Sequence, residues 1–534
     1  MEKIVVAGGG TMGAGIAFVA AKAGFAVDLV EPESAAQDRA RSQIAKQAER
    51  FKVPDAAQRI QLYASIPDQS DAGLAIEAVP ERLDLKRAIF AQLARSLGPS
   101  ALLATNTSSL AVGEIAAGIE HPQRVLGLHF FNPPSLMQLV EIVYTPDTGD
   151  DEIDRARELV ERFGKTAVLA ADTPGFIVNR VARPFYLQSL RALAAGAAPL
   201  EDLDRLARGA GFRMGPFELM DLIGLDVNLA TSESIYERTG AERFEPVALQ
   251  REMVAQNRLG RKTGAGFYDY SNGAPPHDDA APAPPQSVNS DEKIVIVGAG
   301  GLAEELHDAL QRAYSDVSLW EDEEALDELP LDATIVIDVG DGARDRGAVL
   351  EGLDASLPRE TMIFADAYAT DLSGAARRMK FPDRLVGYGV LASLETQRAI
   401  EIVDSEDVSD DGLELAQELF ESIGRNVVLV EDSPALFLGR VVGSIVNEAV
   451  YAVEEDVASA DDIDVAMQLG TNYPRGPLAW GREIGGDRVR RILQRLAKAE
   501  GAAFAPHRAL WVLDAQSPDE ASGIEEGAMV LGES

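Results

Sequence analysis

Short, almost wholly apolar runs punctuate the first 170 residues, and each is followed by a longer stretch in which apolar and polar positions mix. The runs are KIVVA from Lys3, VDLV to Val30, LLAT at 102–105, VLGLHF to Phe130 and LVEIV at 139–143. Brief β-rich runs alternating with helical text predict a parallel sheet with helices on its faces. From about Pro184 the strand signals fade. The text becomes helical, broken by Pro and Gly, as in MGPFELMDLIGLD (214–226).

The same succession then begins again. KIVVAGGG from Lys3 faces KIVIVGAGG from Lys293, and VDLVE, ending on Glu31, faces VSLWE, ending on Glu321, both at an offset of 290. Further along the offset is 260: RVLGLHFFNP faces RLVGYGVLAS, and DTPGFIVNR faces DSPALFLGR. The second copy has therefore lost about 30 residues in between, and it turns helical from about Gly443. Residues 273–291, GAPPHDDAAPAPPQSVNSD, have no apolar period and predict an extended linker. The expected layout is an α/β domain at 1–183, a helical domain at 184–272, the linker at 273–291, a second α/β domain at 292–432 and a second helical domain at 433–534.

Composition narrows the function. A chain of 534 residues exceeds one core. It has no cysteine, which excludes disulfides, thiolate nucleophiles and Cys-ligated zinc, and no metal site is expected. The formal charge of −38 disfavours nucleic acid and anionic membranes as partners. Only ten of the 49 basic residues are lysine, a bias that suggests a salt-adapted, halophile-like solvent. The acidic runs EDEEALDELP (321–330) and SEDVSDDG (405–412) read as solvated faces. The chain enters a strand directly after Met1, which predicts a cytoplasmic protein.

VVAGGGTMGAGIA fits G-x-G-x-x-G as Gly8, Gly10 and Gly13, between an apolar strand and a helix, with Glu31 about 20 positions on. This is the context of a dinucleotide-binding Rossmann turn. Gly8 permits the turn, Gly10 lets the backbone approach a pyrophosphate, and Gly13 lets helix and strand pack closely. Thr11 and Met12 lie inside the same turn. Glu31 would bond a ribose hydroxyl and repel a 2′-phosphate, so NAD is expected over NADP. The second turn has Gly298, Gly300 and Ala303, but Glu304 and Glu305 put negative charge where phosphate would sit.

His129, one of five histidines, ends an apolar strand. A lone histidine there is most simply a core residue. Four features change that reading: the Asn106–Ser109 cluster at the end of LLAT, Glu141 inside LVEIV, Asn179 after a Pro-Gly turn, and Arg180 beside it. A glutamate in a strand core is costly unless compensated, and a neighbouring imidazolium would compensate it. The pair is the orienter-and-base arrangement that proton transfer needs.

GGGTMGAGIA, IEAVPERLDLK, TNTSSL, GLHFFNPPSLMQLVEIV, DTPGFIVNR and GRKTGAGFYDY together resemble the 3-hydroxyacyl-CoA dehydrogenase family, including bacterial 3-hydroxybutyryl-CoA and 3-hydroxyadipyl-CoA dehydrogenases. The resemblance implies a Rossmann domain followed by an all-α domain, here duplicated with a degenerate second Rossmann copy. It implies NAD as cofactor and an acyl-CoA thioester as substrate, in fatty-acid, phenylacetate-type or butanoate metabolism. It makes His129 the general base and Glu141 its partner. Ser108 and Asn179 become substrate contacts, and Glu81, Lys86 and Asn106 join the cofactor neighbourhood. The alternative is a catalytically silent NAD-binding sensor on the same scaffold. A dicarboxylic substrate would need a cation, with Arg180 and Arg213 as candidates.

In the second copy His129 becomes Gly389, Asn132 becomes Ala392, Ser108 becomes Tyr368 and Asn179 becomes Gly439, and only the glutamate persists, as Glu401. The histidine is therefore not demanded by the strand's fold. The degenerate half is expected to cover the first half's helical face as an intramolecular pseudo-dimer, with further homo-oligomerisation left open.

Overall fold

The computed structural model describes residues 2–273, 291–321, 328–340 and 345–514. The body of the expected linker and the core of the acidic run at 321–330 lie outside the described residues. The chain divides into two compact units. The first comprises residues 1–182, 237–240 and 451–476, and the second comprises 183–236, 241–450 and 477–534.

The first unit is built on eight strands: β1 (Lys3–Ala7), β2 (Ala26–Val30), β3 (Ile60–Tyr63), β4 (Leu74–Glu77), β5 (Leu102–Thr105), β6 (Val125–Phe130), β7 (Leu139–Tyr144) and β8 (Thr166–Ala171). Their order is β3-β2-β1-β4-β5-β6-β7-β8. The central strands are buried along nearly their whole length, which is why they read as continuous apolar runs. All neighbours are parallel except β6 and β7. That antiparallel pair departs from the all-parallel sheet expected from the pattern, and its cause is length. A parallel crossover needs about a dozen residues or more, and only residues 131–138 separate the two strands, so β7 must run back beside β6.

The second unit holds seven strands: β9 (Lys293–Val297), β10 (Asp316–Trp320), β11 (Ile335–Asp338), β12 (Met362–Asp366), β13 (Leu385–Gly389), β14 (Ala399–Asp404) and β15 (Asn426–Glu431). Their order is β10-β9-β11-β12-β13-β14-β15, again with one antiparallel pair, β13 and β14. Among the described residues the counterpart of β3 is absent. Residues 31–73 separate β2 from β4, whereas only 321–334 separate β10 from β11, too few for a long helix and a strand.

Each sheet is packed by a helical segment from the other copy. In the first unit, helix Ala460–Thr471 lies on β7 and β8, and the Val457 carbonyl accepts from Ala171 N at 2.8 Å. In the second unit, helix Leu200–Gly209 lies on β14, and the Ala197 carbonyl accepts from Glu431 N at 2.9 Å. The two hydrogen bonds correspond residue for residue at the offset of 260. Close approach is enforced by glycine at both places. A Cβ on Gly470 would stand 2.9 Å from Leu139 Cδ2, and one on Gly209 2.4 Å from Ala399 Cβ. Among the described residues one helix, Leu436–Glu454, is long and apolar enough to cross a membrane by length and composition, but most of it is buried inside the protein.

Candidate active site

The glycine turn follows β1. Gly8 has φ +111, and a side chain there would meet the Ala78 carbonyl at 2.6 Å; a Cβ on Gly13 would lie 1.8 Å from the Gly8 carbonyl. The turn can close only without these side chains. Gly10, by contrast, faces open space, and helix Thr11–Lys22 behind it carries no acidic residue in its first turn. That leaves the helix N-terminus suited to a pyrophosphate. Glu31, just past β2, accepts from Gly9 N at 2.8 Å and from Glu33 N at 3.0 Å. The carboxylate is thus fixed beside the turn. These residues fit a dinucleotide.

The reversal into β7 sets His129 directly opposite Glu141 in the antiparallel register. Opposed residues of such a pair project to the same face, with Cβ atoms about 5 Å apart, so two residues twelve apart in sequence become one unit. His129 Nδ1 and Glu141 Oε2 are 2.5 Å apart, and both residues are buried. Glu141 Oε1 accepts from Ile177 N at 3.1 Å and Val178 N at 2.9 Å. The carboxylate is thereby held on both sides. The turn that supplies those amides contains Phe176 at φ +50, a left-handed conformation unusual for a non-glycine residue. The Phe131 and Phe176 rings flank the imidazole at 4.6 and 5.7 Å between centroids. The Nε2 edge of His129 makes no hydrogen bond among the described residues, so it is the edge available to a reactant.

The turn after β5 holds the other polar groups. Asn106 Oδ1 accepts from Phe130 N at 2.9 Å, tying the turn to the strand that carries His129. Asn179 Nδ2 reaches the Ser108 carbonyl at 3.4 Å. Ser108 Oγ has no partner among the described residues. Glu81 organises this turn: its Oε1 accepts from Thr107 Oγ1 at 2.5 Å, from the amides of Ser108 and Ser109 at 3.0 Å each, and from Ser109 Oγ at 2.9 Å. Burial alone would raise the Glu81 carboxyl, but the Lys86 charge and the Thr107 and Ser109 hydroxyls outweigh it and hold the group below its ordinary value.

Several residues around the site were not singled out from sequence. Glu77, fully buried at the end of β4, pairs with Lys86 at 2.8 Å and accepts from Thr105 Oγ1 at 2.7 Å, so it is what fixes Lys86. Its signal was present as the acid closing the LAIE strand. Along helix Ser34–Arg50, one face carries Arg39, Gln43, Lys46 and Arg50, which line a cleft of about 440 Å³. Gln43 Nε2 donates to the Thr11 carbonyl at 3.0 Å, tying this helix to the glycine turn. Basic residues at helical spacing in so acidic a chain were a legible signal. Arg180, expected as a cation for substrate, is buried and bridged to Glu455 at 2.8 Å, because an unpaired guanidinium could not be held there. Arg213 is exposed.

The second copy keeps the frame and fills the space. Gly389 stands opposite Glu401 in the same register. Leu436 repeats the positive φ of Phe176, and the amides of Phe437 and Leu438 bind Glu401 at 2.7 and 3.2 Å. Tyr368 occupies the room of the missing groups. A Cβ on Gly389 would lie 2.7 Å from Tyr368 Cζ, and one on Gly439 2.8 Å from Tyr368 Cδ1. The three replacements are therefore sterically one event. Tyr368 donates to Glu401 Oε2 at 2.6 Å, where the imidazole would be. Burial pushes the Glu401 carboxyl up to about 7, against the opposing pull of the Tyr368 hydroxyl and the two amides. Arg488 closes the crevice by binding Asp366 Oδ1 at 3.0 Å and the carbonyls of Val390 and Leu391 at 2.7 and 3.0 Å. Glu305, expected at the phosphate position, instead binds Ser393 Oγ and Leu394 N, at 2.9 and 2.7 Å. It occupies the place of Gly15, which packs on Pro134, so its side chain turns to that loop.

Similarity to known proteins extends over most of the chain. The family model for the 3-hydroxyacyl-CoA dehydrogenase NAD binding domain matches residues 3–173. The model for the C-terminal domain of the same enzymes matches residues 175–270 and 437–523. The chain is 36% identical over 507 residues to 3-hydroxyadipyl-CoA dehydrogenase of Escherichia coli, covering 93% of this chain and 94% of that one. Its first half is 39% identical over 282 residues to 3-hydroxybutyryl-CoA dehydrogenase of Mycobacterium tuberculosis, covering 51% of this chain and 99% of that protein. A crystal structure of 3-hydroxybutyryl-CoA dehydrogenase from E. coli superposes with TM-score 0.76 at 32% identity, covering 99% of both chains. With the glycine turn and a duplicated α/β-plus-helical plan also in place, the chain belongs to the 3-hydroxyacyl-CoA dehydrogenase family, whose cofactor is NAD.

Proposed function

We propose that the chain reversibly oxidises a (3S)-3-hydroxyacyl-CoA to the 3-oxoacyl-CoA, and that His129, Glu141, Ser108 and Asn179 carry the chemistry. The observation that supports this most is the buried 2.5 Å His129–Glu141 contact with the imidazole's Nε2 edge left unbonded. NAD, when bound, accepts the hydride from C3. His129 Nε2 takes the hydroxyl proton as the carbonyl forms, and Glu141 stabilises the imidazolium. Ser108 and Asn179 donate to the oxygen that gains charge in the reduction direction. Gly8, Gly10, Thr11, Met12, Gly13 and Glu31 hold the dinucleotide, while Glu81, Lys86 and Asn106 fix the turn beside it.

The basic cleft on helix Ser34–Arg50 suits the phosphates of coenzyme A. The second copy lacks room for that helix, in keeping with a half that binds no thioester. The names of the relatives direct attention to butyryl and adipyl chains. The exchanged helical segments support the reading that the second copy stands in for a second subunit. The test is NADH oxidation with acetoacetyl-CoA, followed by a series of acyl-CoAs that includes the adipyl compound. His129→Ala is expected to lose about 10²–10⁴-fold in turnover while still binding NADH. Unimpaired turnover in that variant defeats the assignment.

A further inference from the structure

The four-residue helix Val178–Val181 touches the site from two directions. It carries Asn179, and the amides at its start grip Glu141. Arg180 lies on the same turn, 3% exposed, with its guanidinium 2.8 Å from Glu455. Glu455 belongs to the second copy, in the segment 451–476 that packs within the first unit. Two further contacts from that segment bear on the same elements. Val457 O anchors the end of β8 through Ala171 N, and Gly470 presses on both Leu139 of β7 and Val178 of the short helix.

We propose that Glu455 is a positioning residue for the first copy's catalytic pair: by fixing Arg180 it fixes the short helix, and through the amides of Ile177 and Val178 it fixes Glu141 against His129. A comparison inside the chain supports this. The packing contacts are reciprocated in the degenerate half, Glu431 N to Ala197 O and Gly209 on Ala399. The ion pair is not. The counterpart of Glu455 is Ala195, and the counterpart of Arg180, Arg440, is bridged to Glu500 of its own copy. The acid from the opposite copy is kept only where a histidine needs placing. Arg180 is buried while Glu455 is half exposed, so removing Glu455 also bears on stability, and the thermal midpoint is read beside the rate to separate the two. The inference rests on the function proposed above, and it gives the inert half a task in the active one.

The test uses full-length Glu455→Gln, Glu455→Ala and Glu455→Asp. Each is assayed for kcat, KM for NADH, thermal midpoint and the pH–rate profile, and by the low-field Nδ1–H resonance of His129 in ¹⁵N-histidine-labelled protein. Displacing a catalytic pair by a fraction of an ångström costs on the order of tenfold in rate. That loss is expected in Gln and Ala with KM for NADH unchanged, a displaced His129 resonance and an altered pH profile; Asp should restore most of the rate. The isosteric Gln carries the test if Ala does not fold. Unchanged kcat and an unmoved resonance overturn the proposal, as does a lowered thermal midpoint with normal kcat, or a rate loss matched by lost NADH binding. An inactive wild type would sink the proposed function. The resonance would still report on Glu455, so the two failures are distinguishable.

Discussion

Replacing Glu141 by glutamine removes the charge at the centre of the site and little else. The side chain is fully buried. An amide oxygen can still accept from Ile177 N and Val178 N, so the cradle survives. What is lost is the attraction between carboxylate and imidazolium. With Nδ1 and Oε2 2.5 Å apart, the charge centres lie about 4 Å from one another, and at an effective dielectric near 20 the interaction is about 4 kcal/mol. At 1.36 kcal/mol per decade, this corresponds to roughly a thousandfold in kcat. A second effect acts in the same direction. The new amide presents N–H groups to Nδ1, which favours the tautomer protonated on Nε2, the nitrogen that must be free to accept the proton. Glu141→Gln should therefore lose between about 10³- and 10⁴-fold in turnover, measured as NADH oxidation with acetoacetyl-CoA at 340 nm, while NADH affinity is retained. A variant within about fivefold of wild type would show that Glu141 does not act on the imidazolium, whatever the distance.

Folding raises the Glu401 carboxyl from its ordinary 4.5 to about 7, so the native state binds the extra proton. Its contribution to stability is complete below about 4.5 and is lost as pH rises through about 7. Between pH 6 and pH 8 the loss is on the order of 1 kcal/mol. Glu401→Gln should flatten that part of the pH dependence in urea unfolding, and an unaltered slope would contradict the assignment. In the basic cleft, Lys46→Glu is expected to raise KM for acetoacetyl-CoA several-fold without changing KM for NADH, with the effect shrinking at high salt. Equal KM values at low salt would remove the cleft from the substrate path.

The amino-acid sequence carried the duplication, because repeats at fixed offsets survive in local strings. It carried the glycine turn and Glu31, because that motif is short and each position has a steric reason. It marked His129 and Glu141, since a base and an acid inside apolar strands are conspicuous against burial. The Tyr368, Gly389 and Gly439 exchanges announced a degenerate half. Glu305 departs from the expectation because position on a helix does not set the direction of a side chain, and this one turns toward Ser393.

Other features existed only once the chain was folded. The β6–β7 reversal turned a spacing of twelve into a contact between His129 and Glu141, and register is a property of pairing, not of either strand alone. Glu77 acquired meaning through Lys86, Arg180 through Glu455, and Arg488 through the crevice it closes. The exchange of helical segments between the copies was least legible of all. It depends on close approach at Gly470 and Gly209, between surfaces more than 180 residues apart in sequence. Apolar periodicity records that a face will be buried, whereas the partner that buries it is decided by shape and charge complementarity, which arise only in three dimensions.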